Sequence, residues 1–219
     1  MTTGVAPPST RPRLRGVSHQ IAFFVSLVSG PVLVAVAPDP ATRIEVAIYA
    51  CSLSGLLGVS ALLHRRDWPP TTRQNLRRLD HSMIFVLIAG TYTPIAGTVL
   101  TGGLRTAVLV TVWVGALAGV VLTVAWIGAP KWATALPYVA LGWVAVIAAP
   151  ELIDGLGAAG FSLLVLGGAL YTAGAIVYAA KRPDPFPTVF GYHEVFHALV
   201  IAAAISHYAV IAGYVLPAA

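Results

Sequence analysis

The amino-acid sequence predicts an all-α fold, a polytopic membrane protein built as a seven-transmembrane-helix bundle. Of its 219 residues 58% are hydrophobic and only 10% charged, with a mean hydropathy of +0.83. A soluble domain carries about 25% charged residues, so there is too little polar surface here to clothe a water-soluble globule. The apolar residues come in long unbroken runs rich in Ala, Leu, Val and Gly, each close to the roughly 20 residues that cross hydrocarbon. An outer-membrane barrel would instead show short alternating strands. The third observation is the placement of the basic residues, which fall in alternate loops.

In chain order, residues 1–19 form a Pro-rich basic arm with Arg11, Arg13 and Arg15, read as disordered and cytoplasmic. Residues 20–219 form the membrane domain. The first helix covers 20–37. A basic lead, an apolar core and Ala35-Val36-Ala37 also fit a cleaved leader, but the lead is long and Pro38 would follow the cut. The second helix covers 44–64 and a polar loop with the breakers Pro69-Pro70 follows. The third covers 80–100 and the fourth, after the turn Thr101-Gly102-Gly103, covers 104–127. The fifth covers 133–149, stopped by Pro150. The sixth covers 160–180 and, after a loop with three prolines, the seventh covers 189–216.

With these spans, eleven of the thirteen Lys and Arg residues lie on one side. The positive-inside bias makes that side cytoplasmic, which puts the amino terminus inside and the carboxyl terminus outside. The same bias accounts for the net charge of +5, so the charge does not call for a nucleic-acid partner. The lone Cys51 excludes an internal disulfide and reads as a small packing residue.

Topology then groups residues far apart in sequence. His193 and His197 stand four apart at the start of the seventh helix, on one face and about one turn apart. His64 ends the second helix at the same depth. Three neutral imidazoles suit Zn²⁺ and leave a fourth position for water. Asp80 and His81 open the third helix on that side. Asp80 is placed to exchange a proton with such a water, or simply to cap its helix. Ser60 shares a helix face with His64, and its plainer role is a bond to its own helix backbone. The run His193-Glu194-Val195-Phe196-His197 also matches the zinc-protease pattern. In that reading Glu194 is the general base; otherwise it faces polar loop groups. His81 and His19 read as interfacial polar residues. His207, about 15 Å beyond His197 along the helix, is too deep for the same metal and fits, with Ser206, an interhelical hydrogen bond. Thr91, Tyr92, Thr93 and Pro94 form a polar, kinked patch that either lines a cavity or re-satisfies backbone around the proline.

Four ordered motifs resemble the hemolysin III family, the bacterial branch of the progestin and adipoQ receptor group. They are Ser60-Ala61-Leu62-Leu63-His64, Arg78-Leu79-Asp80-His81-Ser82, Gly90-Thr91-Tyr92-Thr93-Pro94 and His193-Glu194-Val195-Phe196-His197. The resemblance covers about residues 16–215. It implies seven helices with a cytoplasmic amino terminus in a bacterial plasma membrane. It implies zinc on His64, His193 and His197, with Asp80 at the zinc water and Ser60 beside it. Relation of the wider group to alkaline ceramidases implies hydrolysis of a lipid amide.

Three functional classes follow. The first is a zinc-dependent hydrolase of a lipid amide or ester, with membrane lipid as partner. The second is a non-enzymatic membrane sensor or regulator with structural zinc. The third is a cytolysin or channel, disfavoured because the polar residues gather at one end of the bundle rather than along a conducting path.

Overall fold

Proline in the first turn opens α-helical segments at Pro40, Pro70 and Pro150. The computed structural model describes residues 11–126, 128 and 130–219, leaving aside the side chains of Lys131 and Trp132. Residues 1–10 of the expected arm lie outside the described residues. Arg11 to Gly16 form turns tied to the 188–189 loop by Arg13 N–H to Thr188 O (3.0 Å) and Leu14 N–H to Val189 O (3.1 Å).

Helix α1 spans Val17–Val36 and α2 spans Pro40–Arg65. Asp39 caps α2, accepting from the Ala41 and Thr42 N–H groups at 2.8 and 3.2 Å. Pro40 follows, where a missing N–H costs nothing. The Thr42 hydroxyl, together with these amides, holds the Asp39 carboxyl below its ordinary value.

Helix α3 spans Pro70–Val99, ten residues longer at its start than the apolar run alone indicates. Pro70 in its first turn favours helix initiation, and the polar segment behind it continues the same helix beyond the apolar stretch. Asp80 therefore lies three turns inside α3 and is not its cap. Helix α4 spans Gly102–Ala125.

The fifth and sixth expected helices differ most from expectation. Helix α5 is Lys131–Gly142, followed by a 3₁₀ segment Trp143–Ala148 that leads directly into α6, Ala149–Ala180. Pro150 does not stop a helix here. It sits in the first turn of α6, where proline is tolerated. Gly157 breaks α6 with φ 66° and ψ 169°, a backbone region open in practice only to glycine. The Trp143 indole donates to Thr172 Oγ1 at 3.0 Å. A straight helix from 149 to 172 would rise about 34 Å, so the chain doubles back at this break. Among the described residues six helical runs are long and apolar enough to cross a membrane, with Ala133–Ala180 counted as one. The seven separate helices expected from the sequence thus differ in one respect: the fifth and sixth are not separate but join in one run that reverses at Gly157, so such runs number six.

Helix α7 spans Tyr192–Val210 and winds on through a π segment Ile211–Val215 and a 3₁₀ turn Leu216–Ala218. The described residues hold no β-strand, only an isolated bridge between Phe186 and Phe190 in the loop before α7.

Neighbouring helices pack in sequence order, α1 on α2, α2 on α3, α3 on α4 and α6 on α7, and α7 returns to touch α1. The α6–α7 seam runs on Gly160, Gly167 and Gly174, which face Tyr214, His207 and Phe196. Small residues at such spacing let two helices approach closely in lipid. Large apolar side chains such as Val28, Leu117 and Ile147 point outward, as lipid solvent permits. Cys51 also points out of the bundle rather than into packing.

Candidate metal centre at the head of an apolar cavity

His64 lies in the last turn of α2, and His193 and His197 lie in the first two turns of α7. One ligand atom from each comes within 4.8 Å of the other two. The Nε2 atoms of His64 and His193 stand 3.2 Å apart. Zn–N bonds of about 2.0–2.1 Å in a tetrahedron separate ligand nitrogens by about 3.3 Å, so the observed pair matches one tetrahedral edge. His197 and His193 rings lie 4.4 Å apart, centroid to centroid. His197 Nδ1 is buried with no hydrogen-bond partner among the described residues. An orphaned imidazole nitrogen beside two others is the donor set of a cation site, and these three residues fit a metal ion.

A fourth imidazole closes over the site from α1. The His19 ring stacks on His197 at 3.7 Å with an interplanar angle of 4°. Its Nδ1 lies 2.8 Å from Ser60 Oγ, and Ser60 in turn stands beside the Asp80 carboxyl group on the cavity wall. His19, Ser60 and Asp80 thus line up from α1 through α2 to α3. The Ser60 hydroxyl is engaged by His19, a side chain of another helix, and not by its own helix backbone.

The approach to the site from the loop side is covered by the segment ahead of α1. Arg11 reaches Asp67 at 3.0 Å. Arg15 pairs with Glu194 Oε1 at 2.6 Å, and the Gly191 N–H donates to Glu194 Oε2 at 2.9 Å. Both Glu194 oxygens are therefore committed, one to an ion pair and one to the start of α7. Gly16, at φ 75°, brings this segment so near α2 that a Cβ would meet His64 Cβ at 2.7 Å.

On its other side the site opens into a cavity of about 190 Å³ whose wall includes Ser60, Asp80, His193 and His197. The wall continues along α3 as far as Leu100, twenty residues or about 30 Å beyond Asp80. Beyond the head it is almost wholly apolar, with Ile95, Phe161 and Val200 among its residues. Glu194 is not part of this wall.

Residues 9–208 match the family model described as "Haemolysin-III related". "Hemolysin-3" of Bacillus cereus is 32% identical over 206 residues, covering 93% of this chain and 91% of that protein. "Hemolysin-3 homolog" of Bacillus subtilis (strain 168) is 33% identical over 188 residues, covering 84% and 85%. The chain belongs to the haemolysin III family. It is a multi-pass membrane protein.

In this haemolysin III chain the structure brings together His64, His193 and His197, and seats Ser60 and Asp80 beside them at the cavity head. Glu194 lies off the cavity wall, paired with Arg15. His207 and Ser206 make the interhelical bonds that their spacing indicates, to Leu164 O (3.2 Å) and Leu163 O (2.8 Å). Thr91 and Tyr92 line the cavity, while Thr91 and Thr93 turn back to the carbonyls of Leu87 and Ala89, neither of which is the Gly90 carbonyl that Pro94 leaves without its N–H. His19 is the residue that sequence reasoning misplaced. It is 2% exposed and part of the site, not interfacial. The available signal was its depth, level with His64 once the helices are laid antiparallel.

Proposed function

We propose that this protein is a zinc-dependent hydrolase of a lipid amide or ester, with the metal on His64, His193 and His197. The observation that carries the reading is the position of three converging imidazoles, with Asp80 and Ser60, at the mouth of an apolar cavity as long as a bilayer leaflet pair is thick. When bound, zinc supplies an acidified water and polarises a carbonyl oxygen. Asp80 accepts a proton from the attacking water and returns it to the leaving amine or alkoxide. Ser60, held by His19, fixes the orientation of that carboxyl group. The apolar wall binds the acyl chain and keeps water from the reacting carbonyl. The basic loops favour a bacterial plasma membrane orientation with the amino terminus, and so the metal centre, on the cytoplasmic side.

The test is lipid mass spectrometry on purified protein in lipid, with metal content measured in parallel. Wild-type protein is expected to release fatty acid. Asp80→Ala is expected to lose about 10²–10⁴-fold in rate, the range for a general acid–base group, while keeping its zinc. Unchanged turnover in Asp80→Ala removes Asp80 from the reaction.

One observation favours a second reading, zinc as a structural clamp in a sensor or regulator. Helices α2 and α7 pack little against each other, and a shared metal would join them. In that case chelation lowers thermal stability and no lipid product appears. The relatives' names point to a cytolysin, but a conducting path needs polar residues along its length, and this cavity wall is apolar beyond its head.

A further inference from the structure

At the deep end of the cavity, three polar atoms from three helices have no hydrogen-bond partner among the described residues. Tyr171 of α6 lines the cavity, and its phenol makes no hydrogen bond among the described residues. The ring of His207 from α7 lies 5.5 Å away, centroid to centroid. His207 Nε2 is engaged by Leu164 O, while its Nδ1 is buried and unpartnered. The Tyr49 hydroxyl of α2 is buried nearby, also without a partner.

Other hydroxyls at this depth behave differently. Ser206, Thr91 and Thr172 each donate to a backbone carbonyl, at 2.8 Å in every case. That is the ordinary solution in hydrocarbon, where an unsatisfied polar group costs several kcal/mol. Buried polar groups left unmatched together call for an explanation. Tyr49 lies behind the wall, while Tyr171 and His207 are both on it; with His207 Nε2 engaged by Leu164 O, the Tyr171 phenol is the hydrogen-bond donor left over. The site lies about 15 Å from the metal centre, by the ten residues between His197 and His207. Around it the wall is aliphatic and aromatic, with Leu164, Phe161 and Val200.

We infer that the deep end of the cavity holds a subsite for an oxygen carried mid-chain by an acyl ligand, with the Tyr171 phenol as its hydrogen-bond donor. The substrate class is therefore a lipid whose acyl chain is oxygenated well away from its carbonyl, a hydroxylated chain in the first instance. The inference rests on the proposal above that the cavity takes an acyl chain with its carbonyl end at the metal centre. A plain chain passes Tyr171 without meeting the phenol's need. A chain with a hydroxyl at that depth meets it, and a chain with its hydroxyl next to the carboxyl group does not.

The test is equilibrium binding to the purified full chain in detergent micelles. The probes are octadecanoic acid, 2-hydroxyoctadecanoic acid and 10-hydroxyoctadecanoic acid. Wild-type protein is expected to bind the 10-hydroxy acid about five- to tenfold more tightly than octadecanoic acid, the worth of one net hydrogen bond, and to show no such gain for the 2-hydroxy acid. In Tyr171→Phe, which keeps the ring, the order is expected to reverse, because the hydroxyl then enters an apolar wall unpaired. Equal affinity for octadecanoic and 10-hydroxyoctadecanoic acids in wild-type protein overturns the subsite and leaves the acyl-chain reading standing. A preference that survives in Tyr171→Phe overturns the role of the phenol. Failure of all three acids to bind overturns the subsite together with the acyl-chain reading.

Discussion

The two ends of the cavity handle polar groups in opposite ways. At the head, side chains turn to one another. His64 faces His193, His19 stacks on His197 and reaches Ser60, and Ser60 stands beside Asp80. In the depth of the bundle, polar side chains turn to the backbone, as Ser206, His207, Thr91 and Thr93 do. The second pattern is what hydrocarbon imposes on any stray hydroxyl or imidazole. The first is costly in an apolar setting unless a further group repays it. The difference separates side chains that converge on one another from side chains that satisfy themselves on the backbone, and Tyr171 stands out because it fits neither pattern.

The comparison breaks most directly at the ligands. Replacing His193 by alanine leaves two imidazoles and is expected to abolish metal retention, read as zinc per chain after dialysis against a mild chelator. A deep-end change such as Ser206→Ala is expected to leave that content unchanged. Equal zinc in all three proteins would make the head no more a metal site than the deep end.

A smaller effect is expected one step out. His19→Phe keeps a ring against His197 but loses the bond to Ser60. Loss of a group that orients a ligand costs about 10–100-fold in metal affinity or activity. His19→Asn keeps a polar atom near Ser60 and is expected to recover part of the activity. Activity equal to wild type in His19→Phe would reduce the residue to packing.

Smaller again is the expected consequence at Glu194. Glu194→Gln keeps an oxygen for the Gly191 N–H but leaves Arg15 without its countercharge. Breaking a buried pair costs about 3–5 kcal/mol. Arg15 is 19% exposed, so about 3 kcal/mol is the expected upper end, read as a lower thermal midpoint with zinc content preserved. Lost turnover with unchanged stability would return Glu194 to the role of base.

The smallest effect lies at Asp39, at a surface turn. Its carboxyl is held low by Thr42, so the folded state favours the charged form. That contribution is present above the unfolded-state value and is lost as pH falls through the lower folded value. Asp39→Asn is expected to flatten the acid limb of a stability-against-pH curve slightly. A steeper limb in the variant would give the opposite sign for this group.

Much of this was legible in the sequence, and for identifiable reasons. Apolar runs mark helices because each must cross hydrocarbon. The i, i+4 spacing of His193 and His197 fixes a shared face, and alternation of basic loops brings His64 to the same end. What escaped were features that hydropathy does not carry. The first ten residues of α3 are polar, so the apolar pattern begins late and made Asp80 look like a cap. Pro150 reads as a stop, yet in a first helical turn proline is a start. Gly157 reads as one glycine among many, and only its left-handed backbone shows where the chain reverses. His19 is a lone histidine in sequence, and its stacking on His197 requires α1 to lie against α7, a contact no spacing rule supplies.

The central claim is that three imidazoles, from α2 and α7, hold one metal ion. Zinc-edge X-ray absorption on the purified protein in lipid tests it most directly. The account predicts one zinc per chain with three imidazole nitrogens at about 2.0–2.1 Å and an oxygen completing the shell. A chain purified without bound metal, which takes up none when zinc is supplied, would contradict it.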